Sequence, residues 1–257
     1  MLLLDATATM PTALKEPVSK PLEDRATGWI TKLTTNAPEL REIRDALIGS
    51  RAEMMDAVKE LGLPHIPFAH ASVDEFLENP EKLAKALKGD HYYYTIQPND
   101  YAARVDTPSP AIASLDAIVE LAQEFSSANS KVPFTIVLSE VKQIAFLGNI
   151  AVSQDGNIYG EFTDEGIPPT RSSLTRVFQF HKDHTLDTFK YSFENPELQK
   201  AIYRAVSLLP HLGTGRNREW NPGYYEVQLV PTDTGRLVPY FYDYRTSKAF
   251  TNLGNAA

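Results

Sequence analysis

Gly223-Tyr224-Tyr225-Glu226-Val227-Gln228-Leu229-Val230 and Val238-Pro239-Tyr240-Phe241-Tyr242-Asp243-Tyr244-Arg245 are two apolar, aromatic runs, each holding one acid. Between them lies Pro231-Thr232-Asp233-Thr234-Gly235-Arg236, whose Pro, Asp and Gly read as a hairpin loop. The two runs are therefore expected to pair as antiparallel strands. A carboxylate inside a buried strand is costly unless something positive lies against it. Two of them on adjacent strands are most simply held by a divalent cation. Arg245 follows Asp243 by two positions, so in a regular strand the two share a face. Glu226, Asp243 and Arg245 then form either a metal–phosphate patch or a structural salt bridge.

Upstream, residues 146–153 and 157–163 flank Gln154-Asp155-Gly156, a second hairpin signal. Its second strand carries Glu161 in the same apolar framing as Glu226. The run 134–141 reads as a strand that ends on Glu140, an acceptor suited to a ribose or base. The loop 164–173 contains Gly166 and Arg171 and is polar enough to reach over phosphates. The tyrosine-rich run 91–97 is β-prone. Arg104 follows it and is a candidate phosphate contact.

Helical periodicity covers three further stretches. Residues 38–61 place Leu40, Ile43, Leu47, Met54, Met55, Val58 and Leu61 near one face, with Gly62 as C-cap. Residues 109–127 begin at Pro110 and align Ile112, Leu115, Ile118, Val119, Ala122 and Phe125. Residues 196–209 form another amphipathic helix. Ser72 and Glu75 have the spacing of a capping box. The whole describes an α+β protein with mostly antiparallel sheets and flanking helices. Its expected divisions are an arm (1–24), a helical segment (25–62), a small α+β lobe (63–131) and a large antiparallel lobe (132–257).

The 257 residues carry a net charge of −8 and no cysteine. The negative charge argues against nucleic acid as a partner. The missing cysteines exclude disulfides, thiolate nucleophiles and Cys-based metal centres. No stretch approaches the roughly 20 apolar residues of a membrane helix, so no membrane partner is expected and the location fits the cytoplasm. His181, His184 and Asp187 are spaced by three, a faint metal pattern without a clear helix beneath it. No serine-hydrolase, P-loop or Rossmann motif occurs.

In its order of elements, over about residues 60–250, the chain resembles the ATP-binding half of the ATP-grasp superfamily, including phosphoenolpyruvate-synthase-like nucleotide domains. The corresponding segments are 92–104, 134–141 with Glu140, and 224–245 with Glu226 and Asp243. The resemblance implies a two-lobed fold with ATP and magnesium as cofactors. It implies Glu226 and Asp243 as metal ligands. Arg104, Glu140 and Glu161 would contact the nucleotide, and Arg245 and Arg171 would act at the phosphates. It also implies ligase or phosphotransferase chemistry on a small-molecule substrate or a partner protein, and it admits a homo-oligomer. The family's last strand commonly reads acid-x-Asn, whereas this chain has Asp243-Tyr244-Arg245. The alternative is a non-catalytic α+β binding or interaction module that has lost ATP-grasp activity.

Overall fold

The computed structural model describes residues 51–99, 105, 107–108, 111–154, 156–164, 175–180, 195–213 and 219–245. The arm, most of the first helical segment, Arg104, Arg171 and the segment with His181, His184 and Asp187 lie outside the described residues. Helix α1 is Arg51–Glu60. Strand β1 (Phe68–Ser72) leads into the short helices α2 (Val73–Glu78) and α3 (Pro80–Ala84). Strands β2 (His91–Pro98) and β3 (Ala111–Ser114), helix α4 (Leu115–Ala128) and strand β4 (Phe134–Glu140) follow. Next come β5 (Phe146–Val152), β6 (Ile158–Asp164), β7 (Thr175–Phe180) and helix α5 (Pro196–Leu208). The chain continues through β8 (His211–Leu212), β9 (Glu219–Trp220), β10 (Gly223–Pro231) and β11 (Leu237–Arg245).

Two antiparallel sheets carry the α+β architecture. One runs β1-β4-β2-β3 and the other β11-β10-β5-β6-β7, while β8 and β9 make a small ribbon. β4 is hydrogen-bonded between β1 and β2. Residues 134–140 therefore join the first sheet, not the later strands with which sequence order groups them. The expected helix over 109–127 also begins later. Residues 111–114 pair with β2 as an edge strand, and Ser114 caps α4 by accepting the Ala117 N–H. The apolar spacing that Ile112 shares with the helix is incidental, since Ile112 is exposed on that edge.

Each local start has an identifiable cause. Ser72 and Glu75 form the reciprocal capping box, and the Ser72 contacts hold the Glu75 carboxyl below its usual range. Asn195 accepts from the Glu197 and Leu198 N–H groups, and Pro196 occupies the first turn of α5. Gly235, at φ 75°, turns the chain between β10 and β11. In the same loop Thr232 donates its N–H to the Arg236 carbonyl at 2.8 Å.

The first sheet buries Tyr92, Tyr94, Ile96, Ile136 and Leu138 in a core shared with Phe76 of α2 and Ile118 and Ala122 of α4. The second buries Ile150, Phe162, Tyr225, Val227 and Phe241 in a core shared with Leu198, Ala201, Ile202 and Ala205 of α5. Helix α1 and the segment after it fasten the two together. Val58 and Leu63 belong to the second core, while Met55 packs with Phe68 and Val137 of the first sheet. The Phe241 N–H donates to the Pro64 carbonyl at 2.7 Å, and the Glu140 N–H to the Pro67 carbonyl at 3.0 Å. Prolines at 64 and 67 keep this segment extended, so both carbonyls stay available.

Candidate functional site

In the five-stranded sheet, the residues that build the core with α5 occupy one face. The other face is read from the register. Asp243 opposes Glu226, Glu226 opposes Asn149, and Asn149 opposes Glu161. Partners in register share a face, so Asp243, Glu226, Asn149 and Glu161 form one transverse row of acid, acid, amide and acid. Tyr224 lies on the same face one step along β10 and opposes Arg245. Asp243, Glu161, Asn149, Tyr224 and Arg245 are all buried.

A β-bulge makes this row possible. Val227 opposes Phe241, yet Glu226 opposes Asp243, so the register shifts between them and Tyr242 is the extra residue. Without the bulge, Glu226 would face Tyr242, and Asp243 would follow Phe241 into the core. With it, Phe241 packs in the core while Asp243 and Arg245 point to the opposite face. Tyr244 returns to the core side, its ring 4.7 Å from that of Tyr225. Gly223, at φ 152°, lets the chain pass Tyr244, because a Cβ there would lie 2.6 Å from the Tyr244 ring.

The charged side chains are in direct contact. Arg245 donates to Asp243 Oδ2 from Nη2 at 2.8 Å and from Nε at 3.2 Å. The same Nη2 lies 3.5 Å from Glu226 Oε1. The guanidinium carbon is 5.7 Å from the centre of the Tyr224 ring. The Tyr224 hydroxyl sits 2.7 Å from Asn149 Oδ1 and 3.1 Å from Glu226 Oε1. Burial, reinforced by the Glu226 charge, pushes the Tyr224 hydroxyl well above its usual range. It therefore stays a donor. Among the described residues, the Arg245 guanidinium lies against both the Asp243 and Glu226 carboxylates, and the Tyr224 hydroxyl adds a hydrogen bond to Glu226.

The structure thus gathers Glu226, Asp243, Arg245 and Glu161. It does not bring Glu140 into the row. Glu140 ends β4 in the other sheet, where its carboxylate accepts the Lys88 N–H at 3.2 Å and lies 3.6 Å from the Lys142 ammonium. Asn149 and Tyr224 belong to the site although sequence reasoning passed over them. The available signal was an amide inside the apolar run 146–152 and a tyrosine two residues before Glu226.

Magnesium between Glu226 and Asp243 does not fit this arrangement. Both carboxylates are already bridged by one guanidinium nitrogen, and magnesium needs oxygen ligands at about 2.0–2.1 Å in octahedral geometry. Among the described residues, no group of three or more His, Asp or Glu is placed to hold a metal ion.

Neither a family model nor a curated protein sequence matches the chain. Several solved structures resemble it in part. Phosphoribosylamine–glycine ligase from Thermotoga maritima matches at 17% identity and a TM-score of 0.42, over 79% of this chain and 48% of the ligase. Carboxyaminoimidazole ribonucleotide synthase from Aspergillus clavatus, solved with ATP, matches at 10% identity and a TM-score of 0.37, over 84% of this chain and 50% of the synthase. The macrocyclase MdnC from Microcystis aeruginosa, solved with its precursor peptide, matches at 11% identity and a TM-score of 0.37, over 92% of this chain and 67% of the macrocyclase. The chain spans about half the length of the first two of these enzymes.

Proposed function

We propose that this chain binds ATP on the non-core face of the five-stranded sheet and acts as an ATP-dependent ligase or phosphotransferase on a small substrate or a partner protein. The observation that carries this reading is the row of buried Asp243, Asn149 and Glu161 with half-buried Glu226. Core packing alone gives no reason to line a sheet face with charge, since burying acids costs free energy that apolar residues would not. A row of fixed acceptors with one amide suits the hydroxyls and amines of a nucleoside. Arg245 supplies a permanent cation in the same patch. Arg104 and Arg171 are the further phosphate contacts this reading requires. Chemistry of this class rests on positioning and on neutralising charge rather than on a protein nucleophile.

A second reading is favoured by one contact. Arg245 satisfies Asp243 with two hydrogen bonds, as a structural salt bridge does. In that case the chain is a non-catalytic binding module. Thermal melts test the first reading. Millimolar ATP with magnesium chloride should raise the melting temperature of the wild type by several degrees, because a ligand selective for the folded state stabilises it. Glu226→Gln should shrink the shift. An unchanged wild-type melt contradicts nucleotide binding. A clear shift without ADP release in the presence of candidate carboxylates favours the binding module.

A further inference from the structure

We propose that Arg245 is a built-in cation holding the place of a divalent ion, so that the Glu226–Asp243 pair is closed to metal in the native protein. The inference concerns residues of the proposed nucleotide site, but it stands on the ion-pair geometry alone. Three features of the site lead to it. The two acids oppose each other across β10 and β11, the placement that lets one small cation touch both. A single nitrogen, Arg245 Nη2, lies 2.8 Å from Asp243 Oδ2 and 3.5 Å from Glu226 Oε1, so the position between the carboxylates is taken. The guanidinium is also buried and backed by the Tyr224 ring, which leaves little room for it to swing aside.

Charge and hydration point the same way. Arginine does not lose its proton in proteins, so its positive charge at this spot is permanent. A divalent ion approaching both carboxylates would meet that charge at contact distance. To take Asp243 Oδ2 as a ligand it would also have to displace two hydrogen bonds. Magnesium gives up its waters reluctantly, so it competes poorly with a pre-formed guanidinium. Removing the guanidinium reverses the balance. Two facing carboxylates beside the Asn149 amide are then an all-oxygen donor set from which the Arg245 charge is gone.

Manganese without nucleotide is the probe, its free concentration followed by electron paramagnetic resonance. Wild type and Asp243→Asn should take up the same small amount, reflecting only the acidic surface. Arg245→Ala should bind one additional manganese with at least tenfold higher affinity, and Glu226→Gln in that background should remove it. Arg245→Ala that folds, by circular dichroism, and gains no site overturns the proposal. Should Arg245→Ala be unfolded, its refolding on addition of manganese is the expected result, and failure to refold counts against the inference. Wild-type binding that Asp243→Asn abolishes overturns it independently of any Arg245 variant. Because no nucleotide is present, none of these outcomes depends on whether the chain binds ATP.

Discussion

Arg245 is the guanidinium that meets Asp243 and Glu226 on the polar face of this sheet. Asp243 is fully buried, and its visible compensation is the two-pronged contact from Arg245. Truncating one partner of such a pair leaves a buried charge behind, which costs about 3–5 kcal/mol. Arg245→Ala should therefore destabilise the fold by about that much in urea denaturation. Asp243→Asn combined with Arg245→Met should recover most of the loss, because it removes both charges and keeps the volume. A double variant as unstable as Arg245→Ala would show that the pair matters through shape rather than charge. Tyrosines give the matching pH signature. Burial raises the hydroxyls of Tyr224 and Tyr225 well above their ordinary value, with Glu226 adding to the first and Tyr244 to the second. An acid whose folded pKa is raised leaves stability intact below the unfolded value of about 10. Stability is then lost as pH climbs from there toward the folded value, since the unfolded chain releases the proton first. Melts between pH 8 and 11 should show this decline, and Tyr225→Phe should flatten it. A decline of equal slope in the variant would remove Tyr225 from the account.

Among the elements, the bulge in β11 has the largest consequence. Burial in this strand alternates without a break, with Leu237, Pro239, Phe241, Asp243 and Arg245 all inside. Read as a regular strand, that pattern places all five on one face. The register shows otherwise, with three in the core and two on the polar face. This is why the sequence disclosed that Asp243 and Arg245 belong together but not which face they share with Glu226 or by what means. The turn-rich loop and the alternation made both hairpins legible, because those signals are local. The membership of β4 was not legible, since pairing with β1 and β2 depends on contacts remote in sequence. Strand β3 was read as helix because Ile112 and Leu115 fit a period of 3.6 as well as they fit an edge strand followed by a cap. Deleting Tyr242 would remove the extra residue while leaving Phe241 opposite Val227 and Asp243 opposite Glu226, so the faces of Asp243 and Arg245 would be kept. That variant should keep a cooperative melt, and loss of the melt would mean that Tyr242 does more than set the register. Gly148 has a comparable local role. A Cβ there would run into the Phe162 ring lying across it from β6. Gly148→Val should cost at least the 1–3 kcal/mol typical of overpacking, measurable by urea denaturation.

At the scale of the whole molecule, two antiparallel sheets are held by one helix and the extended segment that follows it. Met55 reaches the first sheet and Val58 the second, while Pro64 and Pro67 tie β11 and β4 by hydrogen bonds. The polar row and the Arg245 bridge lie on the sheet face turned away from α5. Among the described residues no helix is long and apolar enough to cross a membrane. The central claim is that this face receives a nucleotide while Arg245 keeps the acidic pair closed to metal. A crystal structure grown with ATP and magnesium tests both halves together. The expected result is the nucleotide beside Asn149 and Glu226 with Arg245 still bonded to Asp243. A magnesium ion seated between Glu226 and Asp243 with Arg245 turned away, or a nucleotide bound on any other surface, would contradict it.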